Sequence, residues 1–228
     1  MSNKPPKKSD ENKRWRKPRR DRGSRISPEY HLIITEGSKT EPLYFEGLKK
    51  TVNQKYNGRI EIVGLGEGAN TLTILDKAEK EQLRSGGKYR HIWIVYDKDD
   101  FPEDDFDNAY FRCKELSSSS DTVTYHALWS NECIELWFLL HFEYLQSNIH
   151  RDLYYPKLTK HLGSKYKKNS SDMFEVLYPH LDEAIRNAKR LLQNYPNGSS
   201  PSQCAPGTSV YEIFEKLKDY IIEYKYSS

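Results

Sequence analysis

Apolar and polar positions change period several times along the chain, and each change predicts an element. Tyr30-His31-Leu32-Ile33-Ile34-Thr35 is a short, β-branched run without Gly or Pro, as a buried central strand requires. It stops at Glu36-Gly37. From Thr40-Glu41-Pro42 onward Leu43, Phe45, Leu48 and Val52 recur at helical spacing, with Pro42 suited to the first turn. Arg59-Ile60-Glu61-Ile62-Val63 alternates as a second strand, residues 64–68 read as a loop, and Asn70 is placed to cap a helix carrying Leu72, Ile74, Leu75 and Ala78. The most apolar run, His91-Ile92-Trp93-Ile94-Val95-Tyr96, predicts a third, central strand. An amphipathic helix is expected over 106–117, a fourth strand over 122–128, and a helix apolar on most of its circumference from Glu132 to about Tyr144.

Strands alternating with helices imply an α/β fold. Its sheet should be mainly parallel, of about four strands with helices on both faces, and ligands gather at the carboxyl ends of such strands. Beyond residue 145 the alternation is lost. Helical patterns remain over 181–192 and 210–224, separated by a stretch with Pro196, Gly198, Pro201, Pro206 and Gly207 that is too rich in breakers for regular structure. The expected organisation is a basic leader (1–25), an α/β core (26–145) and a helical C-terminal extension (146–228) packed on the core. A chain of 228 residues with 36% hydrophobic content can fill one such core, not two large ones.

Charge divides the chain unevenly. Residues 1–25 hold eleven Lys/Arg against Asp10, Glu11 and Asp21, a net +8, so the overall +3 leaves −5 on the remainder. A leader this polar, with Pro5, Pro6 and Pro18, is expected to be disordered. Arg14, Arg16, Lys17, Arg19, Arg20 and Arg22 read either as a phosphate-seeking arm or as a solubilising leader. No run approaches the roughly 18 apolar residues of a membrane span, and no apolar stretch of a secretory signal opens the chain, so a soluble, cytoplasmic protein is expected. Cys113, Cys133 and Cys204 stand apart with no zinc-like spacing and read as reduced packing residues.

Candidate chemistry sits at the strand ends. In an extended Asp97-Lys98-Asp99-Asp100 segment, residues 97 and 99 point to one side, and two such carboxylates call for a shared proton or a divalent cation, with Mg²⁺ or Mn²⁺ suited to hard oxygen ligands. The alternative is an acidic loop capping the next helix. Glu36 ends another central strand, where a neighbouring strand would bring it near Asp97, although it too could simply form the turn, with Glu41 as the capping acid. Taken together the two motifs favour a three-carboxylate metal site. Within Ser130-Asn131-Glu132-Cys133-Ile134-Glu135-Leu136-Trp137-Phe138-Leu139-Leu140-His141-Phe142, Glu135 points from the first helical turn toward the strand ends as a further ligand. His141 lies on another face, where a core role is favoured over that of ligand or base.

These blocks, with Thr35-Glu36-Gly37-Ser38-Lys39-Thr40-Glu41-Pro42-Leu43-Tyr44-Phe45 and Pro206-Gly207-Thr208-Ser209-Val210-Tyr211, resemble the RloB-like family. The likeness covers nearly everything after the leader. It implies a Toprim-type core in which Glu36, Asp97 and Asp99 bind Mg²⁺ with Glu135 as a further ligand. One departure is that the family's usual Asn-Pro-Cys reads Asn131-Glu132-Cys133, which affects the start of that helix. The resemblance further implies an antiviral, abortive-infection or restriction role beside an ABC-type ATPase encoded by a neighbouring gene, with RNA, including tRNA, as substrate and DNA left open; self-association is left open too. The function expected is therefore phosphodiester hydrolysis, with Lys39 and Lys98 neutralising transition-state charge. A second reading is a non-catalytic nucleic-acid-binding or sensor subunit that uses its basic leader. A primase-like transferase is a weaker third, because no zinc module or nucleotide motif accompanies the core. No GxxxxGK[ST] occurs, so ATP hydrolysis would need another chain.

Overall fold

The computed structural model describes residues 28–64, 71–99 and 102–221. Arg14, Arg16, Lys17, Arg19, Arg20 and Arg22 of the leader, the cap residue Asn70 and the candidate Asp100 lie outside the described residues.

Four strands, β1 (His31–Thr35), β2 (Ile60–Gly64), β3 (His91–Asp97) and β4 (Thr124–Asn131), pair in parallel in the order β2-β1-β3-β4. They alternate with α1 (Thr40–Asn53), α2 (Thr71–Arg84) and α3 (Glu103–Ser118), the arrangement expected from the alternating periods. Every residue of β1 and β3 is buried, because helices cover both faces. Side chains of period two sort the core. Leu32, Ile34, Ile92, Ile94 and Tyr96 pack on Ile74 and Ala78 of α2 and on Phe106 and Cys113 of α3. Ile33, Trp93, Val95 and Leu128 face the other way, onto Tyr44, Phe45 and Leu48 of α1 and onto the C-terminal helices. These are α4 (Glu135–Leu139), α5 (Tyr154–Leu162), α6 (Met173–Leu177), α7 (Leu181–Leu192), α8 (Tyr211–Lys216) and α9 (Lys218–Ile221).

Three expectations need correction. The breaker-rich stretch before α8 contains a fifth strand, β5 (Gly207–Thr208), antiparallel to the end of β4 with Ser130 opposite Thr208. Tertiary pairing overrides local propensity there. Thr208 Oγ1 donates to the Trp129 carbonyl at 3.0 Å, Ser209 N–H donates to the same carbonyl, and a Cβ on Gly207 would lie 2.7 Å from the Cys204 carbonyl oxygen. The second correction concerns α4, which spans five residues rather than the expected run from Glu132 to about Tyr144. Phe142 and Glu143 N–H both turn to the Leu139 carbonyl, and Asn187 of α7 donates its side-chain amide to the Leu140 carbonyl at 2.9 Å, which satisfies the helix end from outside. The last helix, expected over 210–224, is divided at Leu217 into α8 and α9, with residues 222–228 outside the described residues. The three cysteines are free and buried, and no helix among the described residues is long and apolar enough to cross a membrane.

Candidate metal centre

Because β1 and β3 are adjacent and Thr35 pairs with Val95, the two chains leave the sheet side by side. Glu36 N–H donates to the Val95 carbonyl at 3.0 Å, which sets Glu36 beside the last residue of β3, Asp97. Asp97 is 8% exposed; its Oδ2 accepts the Ile134 N–H at 3.1 Å, while its Oδ1 and Oε1 of Glu36 are buried with no hydrogen-bond partner among the described residues. Glu41, in the first turn of α1, is buried with its carboxylate laid over Gly37, so close that a Cβ at Gly37 would meet Oε2 at 2.1 Å. Glu135 opens α4, 2% exposed, and its Oε1 accepts the Tyr166 hydroxyl at 2.9 Å.

The acids feel one another. Burial pushes the Asp97 carboxyl well above the ordinary aspartate range, and the charges of Glu41, Asp99 and Glu135 push the same way against the single Ile134 hydrogen bond. Burial also lifts Glu36 to about 7, with Asp99 and Glu41 adding, against a hydrogen bond from the Asp97 backbone. Glu41 is pushed up to about 7 by burial, then by Glu135 and Asp99, while Lys168 works in the opposite sense. Carboxylates in this state are unstable neighbours when all are ionised, and a proton or a cation relieves them.

Asp99 departs from the expected geometry. The segment is not extended: β3 ends at Asp97, Lys98 N–H is taken by the Ser130 carbonyl and Asp99 N–H by the Glu132 carbonyl, and Asp99 has a left-handed φ of 40°. Its side chain, 44% exposed, is ion-paired to Arg151 rather than aligned with Asp97. Arg151 backbone N–H in turn donates to Glu132 Oε2 at 2.9 Å, so Glu132 anchors the same arginine. Lys39 is exposed at the N-cap of α1, and Lys98 is half-buried on the loop after β3. His141 is not brought to the acids: its ring packs edge-on against Trp137, Nδ1 meets the Trp137 carbonyl at 2.9 Å, and burial drives its pKa down to about 3.

As a seat for Mg²⁺ or Mn²⁺ the donors fit in kind: hard carboxylate oxygens, two of them buried and unpartnered. They are not gathered as a ready cage, since among the described residues no three His, Cys, Asp or Glu side chains are disposed to hold an ion. The ion pair between Arg151 and Asp99 would have to open before Asp99 could serve as a third ligand. Sequence reasoning passed over Arg151, Tyr166 and Lys168. Lys168 is opposed by burial but held charged by its hydrogen bond to Tyr155 and by the field of Glu135, and its Nζ lies 5.2 Å from the Tyr155 ring centre. The dense Lys165-Tyr166-Lys167-Lys168 run was the available signal.

The chain matches the family model described as RloB-like protein over residues 31–217, which contains every one of these acids. No curated protein matches it.

Proposed function

This chain belongs to the RloB-like family, and from that premise and the acid cluster we propose that it is a magnesium-dependent nuclease on a Toprim-type core. In this reading it is the effector subunit of an antiviral, abortive-infection system that works with an ATPase from a neighbouring gene and acts on RNA, including tRNA. The observation that carries the reading is the pair of buried, unpartnered carboxylate oxygens on Asp97 and Glu36 at adjacent strand ends. Such lone pairs cost several kcal/mol to bury unless something positive meets them.

Glu36 and Asp97, with Asp99 and Glu135, would hold Mg²⁺ or Mn²⁺, which when bound supplies Lewis-acid polarisation and an activated water for phosphodiester hydrolysis. Water adds to phosphorus and the bond to the leaving oxygen breaks. The chain's own residues have separate tasks. Ile134 N–H fixes Asp97 Oδ2 and leaves Oδ1 for the centre, and Tyr166 orients Glu135. Arg151 competes for Asp99 and so opposes assembly until that pair opens. Lys39 and Lys98 flank the acids in sequence and are assigned to the charge on the substrate phosphate. The basic leader adds backbone affinity through counterion release.

Purified full-length protein with Mg²⁺ or Mn²⁺, incubated with tRNA, total RNA and single- and double-stranded DNA, tests the assignment. Cleavage of an RNA that disappears in Asp97→Ala and in Glu36→Ala is expected. Cleavage that persists in either variant removes the proposed centre. Binding without any cleavage, unchanged in Asp97→Ala, replaces the reading with that of a nucleic-acid-binding subunit.

A further inference from the structure

The loop between α5 and α6 touches the acid cluster from behind. Tyr166 is 8% exposed; its hydroxyl reaches Glu135, and the residue also lines a separate open cavity of about 400 Å³. One residue is thus shared by the acid cluster and this cavity. Lys165 and Lys167, the exposed neighbours of Tyr166 in the chain, line the same cavity. Leu162, Met173 and Val176 complete the lining, and Val176 is 43% exposed on a helix whose Met173, Phe174 and Leu177 are buried. Asp172, the acid of the wall, accepts a hydrogen bond from the Ser170 hydroxyl. The loop is fixed rather than free to drift: Tyr166 N–H donates to Thr159 Oγ1 at 3.1 Å, and the Tyr166 ring stacks on Tyr155 with centroids 5.8 Å apart.

A cavity whose lining combines Lys165 and Lys167 with Leu162, Met173 and Val176 fits a ligand with an anionic end and a flat, less polar body. A free phosphate would leave the apolar lining residues unused. A cavity of this volume lies in the range of small-ligand pockets, about 300–1,000 Å³. We propose that it seats one nucleotide of a single-stranded polynucleotide, adjoining the position whose phosphodiester meets the acids: Lys165 and Lys167 hold the phosphate, and Leu162, Met173 and Val176 accept the sugar and base. The roomier groove of about 700 Å³ along Lys49, Lys50, Asn53 and Gln54 is a poorer candidate, since it lies at the C-terminal end of α1, far along the helix from Glu41.

The direction of the strand, toward the acids, rests on the nuclease reading; the seat does not, and binding alone tests it. The full chain, with Ca²⁺ in place of Mg²⁺, is titrated against a fluorescently labelled short single-stranded RNA at several salt concentrations. Two variants at exposed positions keep folding out of the comparison, the double variant Lys165→Ala/Lys167→Ala and, separately, Val176→Asp. Each is expected to raise the Kd about tenfold, and the lysine pair to lower the slope of log Kd against log salt by about 0.7 for each phosphate no longer held. Unchanged Kd and slope in both variants, or no binding by the wild type, overturns the proposal. Cavity-dependent binding together with no cleavage by the wild type in Mg²⁺ supports the seat and overturns only the nuclease reading. Intact Mg²⁺-dependent cleavage in variants whose binding is unchanged overturns only the seat.

Discussion

Asp97 is the side chain on which stability and the proposed chemistry pull in opposite directions. It ends a fully buried strand with one oxygen satisfied and one not. Asparagine keeps the shape, still accepts the Ile134 N–H and removes the buried charge, so Asp97→Asn is expected to stabilise the metal-free protein by about 1–3 kcal/mol in urea denaturation, and to abolish cleavage. A variant no more stable than wild type would mean that the acids do not burden the fold. His141 carries a prediction of the opposite kind. Its folded pKa is depressed from 6.5 to about 3, so it binds fewer protons folded than unfolded between those values. The stability it allows is complete above about pH 6.5 and declines as pH falls toward 3, by up to about 1.4 kcal/mol per pH unit. In His141→Asn, whose amide can still donate to the Trp137 carbonyl, the dependence of stability on pH over this window should be flatter than in wild type by about that amount. At this scale Glu36 and Asp97 were legible in the sequence, because each ends an apolar run. The orientation of Asp99 was not, since it depends on a left-handed backbone and on an arginine supplied by the segment before α5.

Elements reveal where tertiary pairing overrides local pattern. The strand–helix alternation up to β4 follows from apolar periods, but β5 is two residues long and contains a glycine, so no period marks it. It forms because the β4 edge offers the Trp129 carbonyl to Thr208 and Ser209. Gly207→Ala drives a Cβ into the Cys204 carbonyl and is expected to cost about 1–3 kcal/mol, visible in thermal denaturation. The short turn Arg151–Leu153 is the element that ties the C-terminal part of the chain to the acid loop, through Asp99 and Glu132. Arg151→Ala should therefore tighten Mn²⁺ binding several-fold in calorimetry by releasing Asp99, whereas weaker binding would show that the arginine organises the centre instead of opposing it.

Charge is divided unequally along the sequence. A leader of +8 precedes a remainder of −5 whose buried acids meet at one edge of the sheet. That asymmetry was open to reading from composition, and so was the layering, because period-two strands between helices leave few other ways to bury both faces. What composition could not give was the return of the C-terminal part onto the site, where Tyr166 and Lys168 come to act on Glu135 and Glu41. Removal of residues 1–25 should weaken RNA binding and reduce its salt slope while leaving the affinity for metal unchanged. The most direct measurement is isothermal titration calorimetry of Mg²⁺ and Mn²⁺ into the full-length protein and into Asp97→Asn and Glu36→Gln. Binding at millimolar concentration or tighter that is abolished in both variants is the predicted result. No binding by the wild type, or equal binding by all three, would contradict it.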